Sequence, residues 1–468
     1  MIDANEALRA LARKYVRPGP RYTSYPTAAD FGPLRAADYE HHLAHARKAH
    51  AEPWSVYVHV PFCAKRCDFC ACSVIATPDH DRVAEPYVEH LLGEIGLVSR
   101  HLGSRRRLAQ LHLGGGTPTY LTADQLSRVF AAISKEFVRD PLGEWSIELD
   151  ARATRDAHVD LLGEFGFGRV SLGIQDLDPQ VQAHIGRIQS RARIVEVIQR
   201  CRERGVEGVN LDLIYGLPGQ SLASMSRTLD GVLELEPDRL ALYGYAHMPW
   251  VPGRGNQRRI DESLLPGPSA RLDMFLAARE QLLRAGYEAI GMDHFARPTD
   301  DLARAAKAGT LTRNFMGYTV RGGTDLLGFG VTAIGEIGEA IVQNSAKLSR
   351  WSAAIEAGEL PTARGIVRTP EDQLHAAVIG DLMCHHTVDK RAIEARFRLP
   401  SFDETFAFEI EQLQGAVFDG LVFDEPDSLS LSETGKLFVR NVAMAFDARL
   451  RAKSNISSRA TPRFSATV

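Results

Sequence analysis

The sequence predicts an α/β protein built on a barrel-like sheet of six βα units, with an amino-terminal extension and a small, mostly helical carboxy-terminal domain. Three observations lead there. Between residues 54 and 245, six β-branched or aromatic runs alternate with segments of helical spacing, the pattern of parallel βαβ units. The runs are apolar at alternate or all positions, as strands covered by helices are. Polar features gather at the carboxyl ends of successive runs. Barrel enzymes build their sites there, whereas an open doubly wound sheet concentrates them at one switch point.

The elements follow in order. Trp54–Val60 (WSVYVHV) reads as the first strand and leads into a cysteine-rich loop. Tyr87, Leu91, Leu92 and Ile95 give residues 83–101 a helical stripe. Gln110–Leu113 is the second strand, stopped by Gly114-Gly115-Gly116, and Thr122 is placed to cap a helix reaching Phe137. Strands at 145–149, 169–174, 209–214 and 240–245 alternate with helices at 156–165, 191–204 and 222–235. A further helix is expected at 268–286. The glycine-rich and polar stretch 291–330 is too long for a mere connection and is expected to shape a site. From about 368 the pattern turns to helices with two short strands, a winged-helix-like arrangement. The expected division is 1–50, an extension or lid; 51–365, the barrel with a substrate-site segment; 366–455, the winged-helix-like domain; and 456–468, a polar, disordered tail.

Hydrophobic residues make up 44% and charged residues 24% of the 468 positions, ordinary for a globular protein. A net charge of −4 and a pI of about 6.5 offer nothing to a nucleic acid, and Asp424, Glu425 and Asp427 argue against DNA binding by a winged helix. The opening MIDANEALRALARKYV lacks the apolar core of a secretory signal, and no apolar run approaches the length of a membrane span. A cytoplasmic protein without a membrane partner is expected. In that compartment clustered cysteines favour a metal site over disulfides.

Four of the six cysteines fall within PFCAKRCDFCACS, residues 61–73. Cys63, Cys67 and Cys70 are spaced C-x3-C-x2-C, with Cys72 two residues on. Zinc sites generally draw on two separated ligand pairs, and a thioredoxin-type motif has two cysteines. Three thiolates on one short loop can instead hold three irons of a [4Fe–4S] cube, leaving the fourth iron open to a small molecule.

This motif, with Phe69 before its last cysteine, resembles that of the radical S-adenosylmethionine (SAM) superfamily. The resemblance implies a partial (βα)6 barrel, a [4Fe–4S] cluster held by Cys63, Cys67 and Cys70, and SAM on the open iron. One electron then cleaves SAM to methionine and a 5′-deoxyadenosyl radical. RYTSYPTA (21–28), YVHVPFCAKRCDFCAC (57–72), LHLGGGTPTYL (111–121), NLDLIYGLP (210–218) and GMDHFARP (291–298) are similar to segments of the oxygen-independent coproporphyrinogen III oxidases. The similarity runs nearly end to end. In that family Cys72 accompanies the motif without being a cluster ligand.

The resemblance also assigns residues. Gly115, Gly116 and Thr117 would seat the SAM amino group, and Glu148 would bind the positive end of its methionine half. Gln175 and Asp212 would hold the adenosyl part, Arg187 would meet the carboxylate, and Tyr57 would lie near the sulfonium. Asp150 is expected to face away from Glu148. Phe315, Gly317, Ala246 and Ile334 match a second SAM site. Met316 replaces an expected glutamine there, so that contact is lost or altered. Ala71, Ala151 and Gly186 replace an expected glycine, proline and asparagine. None of these changes removes a cluster ligand.

The implied reaction is oxidative decarboxylation of the ring A and B propionates of coproporphyrinogen III to vinyl groups, in haem biosynthesis. Its electron donor would be of the flavodoxin or ferredoxin kind, and the enzyme a monomer. A tetra-anionic substrate needs cations, for which Arg17, Arg21, Arg297 and Arg313 are candidates. Two other readings compete: a radical SAM paralogue acting on another tetrapyrrole, such as a haem-degrading methyltransferase, and a haem-binding chaperone. RYTSYPTA argues against the chaperone, whose relatives generally lack it.

Overall fold

The structure, a computed structural model, describes residues 4–49, 51–322, 324–454 and 464–465. Six strands, β1 (Trp54–Val60), β2 (Arg107–Gly115), β3 (Val138–Leu149), β4 (Arg169–Gln175), β5 (Gly208–Tyr215) and β6 (Arg239–Gly244), lie side by side in chain order. Every neighbouring pair among them is parallel. The longer helices that alternate with or follow these strands are α1 (His80–Ser99), α2 (Ala123–Glu136), α3 (Asp156–Glu164), α4 (Arg191–Glu203), α5 (Leu222–Leu233) and α6 (Pro268–Arg284). Thr122 caps α2 as expected, its side chain accepting from the Gln125 backbone N–H.

Alternation along each strand decides what faces where. Val56, Val58 and Val60 of β1, Leu211 and Leu213 of β5, and Leu240 and Leu242 of β6 are fully buried in the main core with Leu91, Leu126, Ile198 and Leu229 of the helices. The intervening side chains meet one another across the strands. The Tyr57 ring stacks on His112, 6.0 Å between centroids, and His112 Nδ1 lies 2.8 Å from Ser146 Oγ. Asn210 donates to Ser171 Oγ at 2.8 Å, and Ser171 donates to Asp212 at 3.3 Å. The sheet thus has an apolar outer face under helices and a polar inner face.

β1 and β6 do not pair with each other, so the barrel is open. Beyond β6 the sheet continues antiparallel with β8 (His294–Ala296) and then β7 (Glu288–Gly291). On the other side β9 (Asp325–Phe329) runs parallel to β1. It is followed by an antiparallel run of β10 (Ile334–Ile337), β11 (Ala340–Asn344) and β12 (Thr362–Val367). These strands are three to six residues long and carry little alternation, and the sequence showed only residues 291–330 of this region, as a site-shaping stretch. Buried Arg105 pins the junction. It donates to the carbonyls of Ala46, Glu52 and Pro53, pairs with Asp325 of β9, and lies 3.8 Å from the centroid of the Trp54 ring.

The carboxy-terminal region has its own core, built around Val378, Leu382, Phe402, Phe406 and Phe446. Its small sheet has three strands, not two: Thr387–Asp389 and Val422–Asp424 flank Ser428–Leu431. The amino-terminal helix, Ala4–Tyr15, packs here, with Tyr15 bonded to Asp419 and its ring 5.7 Å from Phe438. The chain then crosses to the barrel: Arg440 holds the carbonyls of Gly19 and Pro20, and Arg21 pairs with Asp293. The disordered-tail expectation falls on residues outside the described ones, apart from Phe464 and Ser465; the Ser465 carbonyl accepts from Gly19 N–H at 3.0 Å. Among the described residues no helix is long and apolar enough to cross a membrane.

Replacing Arg105 by alanine leaves Asp325 with the Gly338 N–H but without its cation, and takes the buried donor from three carbonyls. The expected cost is about 3–5 kcal/mol, as for other broken buried pairs, read as a lowered urea midpoint against wild type.

Candidate active site

The loop after β1 is held from every side. At its base Phe62–Cys63 pairs with Ile75–Ala76, and Ile75 N–H donates to Pro61 O at 2.7 Å. Asp68 N–H donates to Ile185 O at 2.9 Å. The Asn256 amide donates to the carbonyls of Cys67 (2.9 Å), Asp68 (3.1 Å) and Cys70 (3.0 Å), and Gln257 donates to Phe69 O at 2.9 Å. Asn256 and Gln257 sit in VPGRGNQRR, which the sequence showed only as a short basic run. Their role emerges only when that turn folds over the loop.

Each thiol has its own surroundings. Cys63 Sγ lies 3.3 Å from Thr117 Oγ1, and burial pushes its thiol up to about 11. A hydrogen bond with Cys72, helped by Arg66, brings Cys70 down to about 6 despite burial. Cys67 Sγ meets Arg152 Nη2 and Arg187 Nη1, each at 3.7 Å. All three cysteines border one cavity of about 1630 Å³, which also receives Phe69, Gly115, Gly116, Thr117, Glu148, Asp150, Gln175, Arg187, Asp212, Tyr243 and Ala246. Residues from the ends of six strands therefore converge, as their positions in the sequence predicted.

The glycines at the end of β2 are demanded by crowding. A Cβ on Gly114 would stand 2.7 Å from Glu148 Oε1, one on Gly115 2.6 Å from the His59 ring, and one on Gly116 2.6 Å from Phe62 O. Gly115 N–H donates to Glu148 at 3.2 Å, and His112 Nε2 lies 3.6 Å from the same carboxylate. Burial works against the Glu148 charge, but His112 and the Gly115 N–H outweigh it and hold the group below its usual range. Asp212 goes the other way. Burial, with the nearby Glu148 charge, pushes it up to about 6 against its bonds to Asn210 and Ser171. Gln175 takes a left-handed backbone, φ 65°, uncommon for a side chain of its size and typical of positions held for function.

Asp150 does not face away. Glu148 and Asp150 are two residues apart, and the period of two along an extended chain puts them on the same face, so both border the cavity. There Asp150 binds Arg152 at 2.6 Å and Arg187 at 3.0 Å, and burial is overcome by these two cations, which bring it down to about 2. Tyr57 sits one layer below the cavity lining: its hydroxyl is 2.9 Å from His59 Nδ1 and its ring lies on His112. Ile334, Phe315 and Gly317 are not among the lining residues; the Phe315 ring packs 6.1 Å from Phe31. Met316 offers no side-chain amide, and its backbone N–H is used by Asn314 Oδ1 at 2.9 Å. Gly186 has φ 64°, a conformation open to asparagine as well, and Ala151 is a small buried core residue.

The donor set fits a [4Fe–4S] cluster. Three thiols from one pinned loop share a cavity, and among the described residues no three Cys, His, Asp or Glu side chains close on a single ion. Opposite them an ionised carboxylate, a guanidinium and backbone N–H groups provide complements to the ammonium, carboxylate and adenosine of SAM.

Residues 57–231 match the Radical SAM superfamily. The oxygen-independent coproporphyrinogen III oxidase of Pseudomonas aeruginosa is 42% identical over 455 residues, covering 96% of this chain and 97% of that protein. The enzyme of the same name from Escherichia coli is 40% identical over 449 residues, covering 96% of each. The solved coproporphyrinogen III oxidase from E. coli, described as a radical SAM enzyme, aligns with a TM-score of 0.88 and 38% identity over 94% of this chain and 98% of that one.

Asp212 keeps its proton up to about pH 6 in the folded chain, whereas an unfolded aspartate loses it near 4. The folded state binds more protons in that window, so its contribution to stability falls as pH rises from about 4 to about 6 and stays low above. Asp212→Asn removes the decline. Without ligands the variant should gain up to about 3 kcal/mol over wild type at pH 7.5 and little at pH 4. SAM affinity, read by calorimetry on cluster-loaded protein, should drop at least tenfold.

Proposed function

The chain belongs to the oxygen-independent coproporphyrinogen III oxidase family of the radical SAM superfamily, and from that premise we propose how its residues divide the work. It is an oxidoreductase that turns the ring A and B propionates of coproporphyrinogen III into vinyl groups, giving protoporphyrinogen IX in haem biosynthesis. Its cofactors are a [4Fe–4S] cluster and SAM, which when bound supply one-electron cleavage and the hydrogen-abstracting radical. The observation that carries the assignment of roles is the convergence of Cys63, Cys67 and Cys70 with Glu148 and Arg187 on one cavity.

In this reading the three thiolates hold the cluster. Gly115, Gly116 and Thr117 offer backbone and hydroxyl to the SAM amino group, and Glu148 receives its positive charge. Arg187 takes the carboxylate, while Gln175 and Asp212 hold the adenosyl part, with Phe69 beside the last cysteine. Tyr57 steadies this end of the barrel through His59 and His112 and lies toward the sulfonium. The reading counts one SAM molecule: Ala246 borders the cavity, Ile334 and Phe315 do not, and Met316 has no amide.

For the substrate's carboxylates the reading selects Arg21. It lines the cavity with its guanidinium 5.4 Å from the Tyr243 ring centroid, and Arg313 is held behind it by Tyr22 O at 3.3 Å. Arg297 is engaged elsewhere, with Pro237 O at 3.0 Å, and Arg17 does not line the cavity. Residues 1–50 then serve as a lid over the barrel (51–365), braced by the winged-helix-like domain (366–455). A flavodoxin- or ferredoxin-type donor, a monomeric state and a cytoplasmic location complete the proposal.

The test is anaerobic reconstitution followed by turnover with SAM and coproporphyrinogen III. Vinyl products and CO2 are expected. Serine at Cys63, Cys67 and Cys70 together should abolish both along with the cluster's visible absorption. Arg21→Gln should raise the substrate KM at least tenfold while iron content and SAM binding stay at wild-type levels. A methylated, opened ring would identify a methyltransferase, and haem capture without turnover a chaperone.

A further inference from the structure

Cys67 is 7% exposed and buried, while Cys63 and Cys70 are only partly so. Two guanidinium groups reach its sulfur at the same distance, 3.7 Å, one from Arg152 and one from Arg187. Asp150 holds both in place. Its Oδ2 accepts from Arg152 Nη2 at 2.6 Å and Arg187 Nη1 at 3.0 Å, and its Oδ1 accepts from Arg152 Nε at 2.9 Å. Arg187 is fixed independently by Gly173 O, at 2.8 Å from Nη2 and 3.1 Å from Nε. Two cations and one anion thus stand against one sulfur, a net positive charge. Like-charged groups gather in a partly buried place when an anion belongs beside them.

We propose that Arg152 is a positioning residue that raises the reduction potential of the cluster through the sulfur of Cys67. The proposal rests on the reading that Cys67 is a cluster ligand. Reduction adds one electron, delivered from outside by a one-electron carrier, and makes and breaks no bond in the protein. The added negative charge spreads onto the ligand sulfurs. A fixed cation and an N–H···S contact at one of them stabilise the reduced state over the oxidised one. Arg187 has a second duty in the proposed site, toward the SAM carboxylate. Arg152 has no such duty: its other contact is Asp150, so the charge it holds against Cys67 remains whether or not SAM is present. Its side chain is 30% exposed, and Asp150 keeps Arg187 and the Arg152 backbone N–H (3.0 Å) when the side chain is changed. A substitution here therefore strands no buried charge.

The experiment uses full-length, anaerobically reconstituted wild type, Arg152→Gln and Arg152→Lys. Iron and sulfide content is measured first. Each protein is then titrated with dithionite and redox mediators, without SAM or substrate, and the reduced cluster is counted by electron paramagnetic resonance. At the potential where wild type is half reduced, the ratio of reduced to oxidised cluster in Arg152→Gln should fall at least tenfold. For a one-electron couple that is a shift of about −59 mV. Arg152→Lys should fall between, since it keeps the charge but loses the planar fork. A glutamine variant that titrates with wild type overturns the proposal. So does loss of the cluster from both variants, which would make Arg152 an assembly residue. Wild type that binds no iron would sink the underlying cluster reading, and that result is seen before any variant is titrated.

Discussion

The two-faced strand is the constraint on which this molecule rests. Each of the six parallel strands must satisfy a helix layer on one side, and the hydrophobic effect fills that side with valine, leucine and isoleucine. The other side of an open barrel is too enclosed for bulk water and too polar for a core. Its residues must therefore hydrogen-bond to one another or to a ligand. Tyr57, His112 and Ser146 meet across β1 to β3, and Ser171, Asn210 and Asp212 meet across β4 and β5. Where these ladders run out, at the carboxyl ends, unsatisfied polar capacity remains, and the cavity lies there.

Electrostatics then divides the cavity's acids. Glu148, Asp150 and Asp212 all border it, yet they are tuned apart. Two guanidiniums hold Asp150 charged, the pairing that lets a buried carboxylate stay ionised. Glu148 keeps its charge through His112 and a backbone N–H, while Asp212, close to that charge, is driven toward its neutral form. One free carboxylate charge beside a thiol cluster suits a ligand carrying a positive centre. Above about pH 6 Asp212 is a carboxylate that accepts hydrogen bonds, as from the hydroxyls of a sugar.

Much of this was legible along the chain. Alternating β and α runs, caps such as Thr122, and the crowding of cysteines, glycines and acids after successive strands all depend on neighbours a few residues away. Such signals survive in one dimension. What stayed hidden depends on partners far apart. Asn256 and Gln257 bind carbonyls nearly 190 positions earlier, and nothing in VPGRGNQRR distinguishes a clamp from a solvated basic turn. Asp150 was expected on the wrong face because the period of two was miscounted: residues 148 and 150 lie on the same side of an extended chain. The extension β9–β12 was missed because its strands are short and three of the four carry a glycine.

By itself the sequence determined the fold class, the crowding of cysteines after the first strand and the set of strand ends that carry polar groups. Each of these is a matter of spacing, and spacing is written in the chain. Only the tertiary structure decided which groups touch: that Arg152 and Arg187 share one sulfur, that Arg21 rather than Arg297 reaches the cavity, and that the amino-terminal helix docks on the carboxy-terminal region. Contacts between distant segments depend on how layers pack and where burial leaves a charge unpaired. Those energies exist only once the chain is folded.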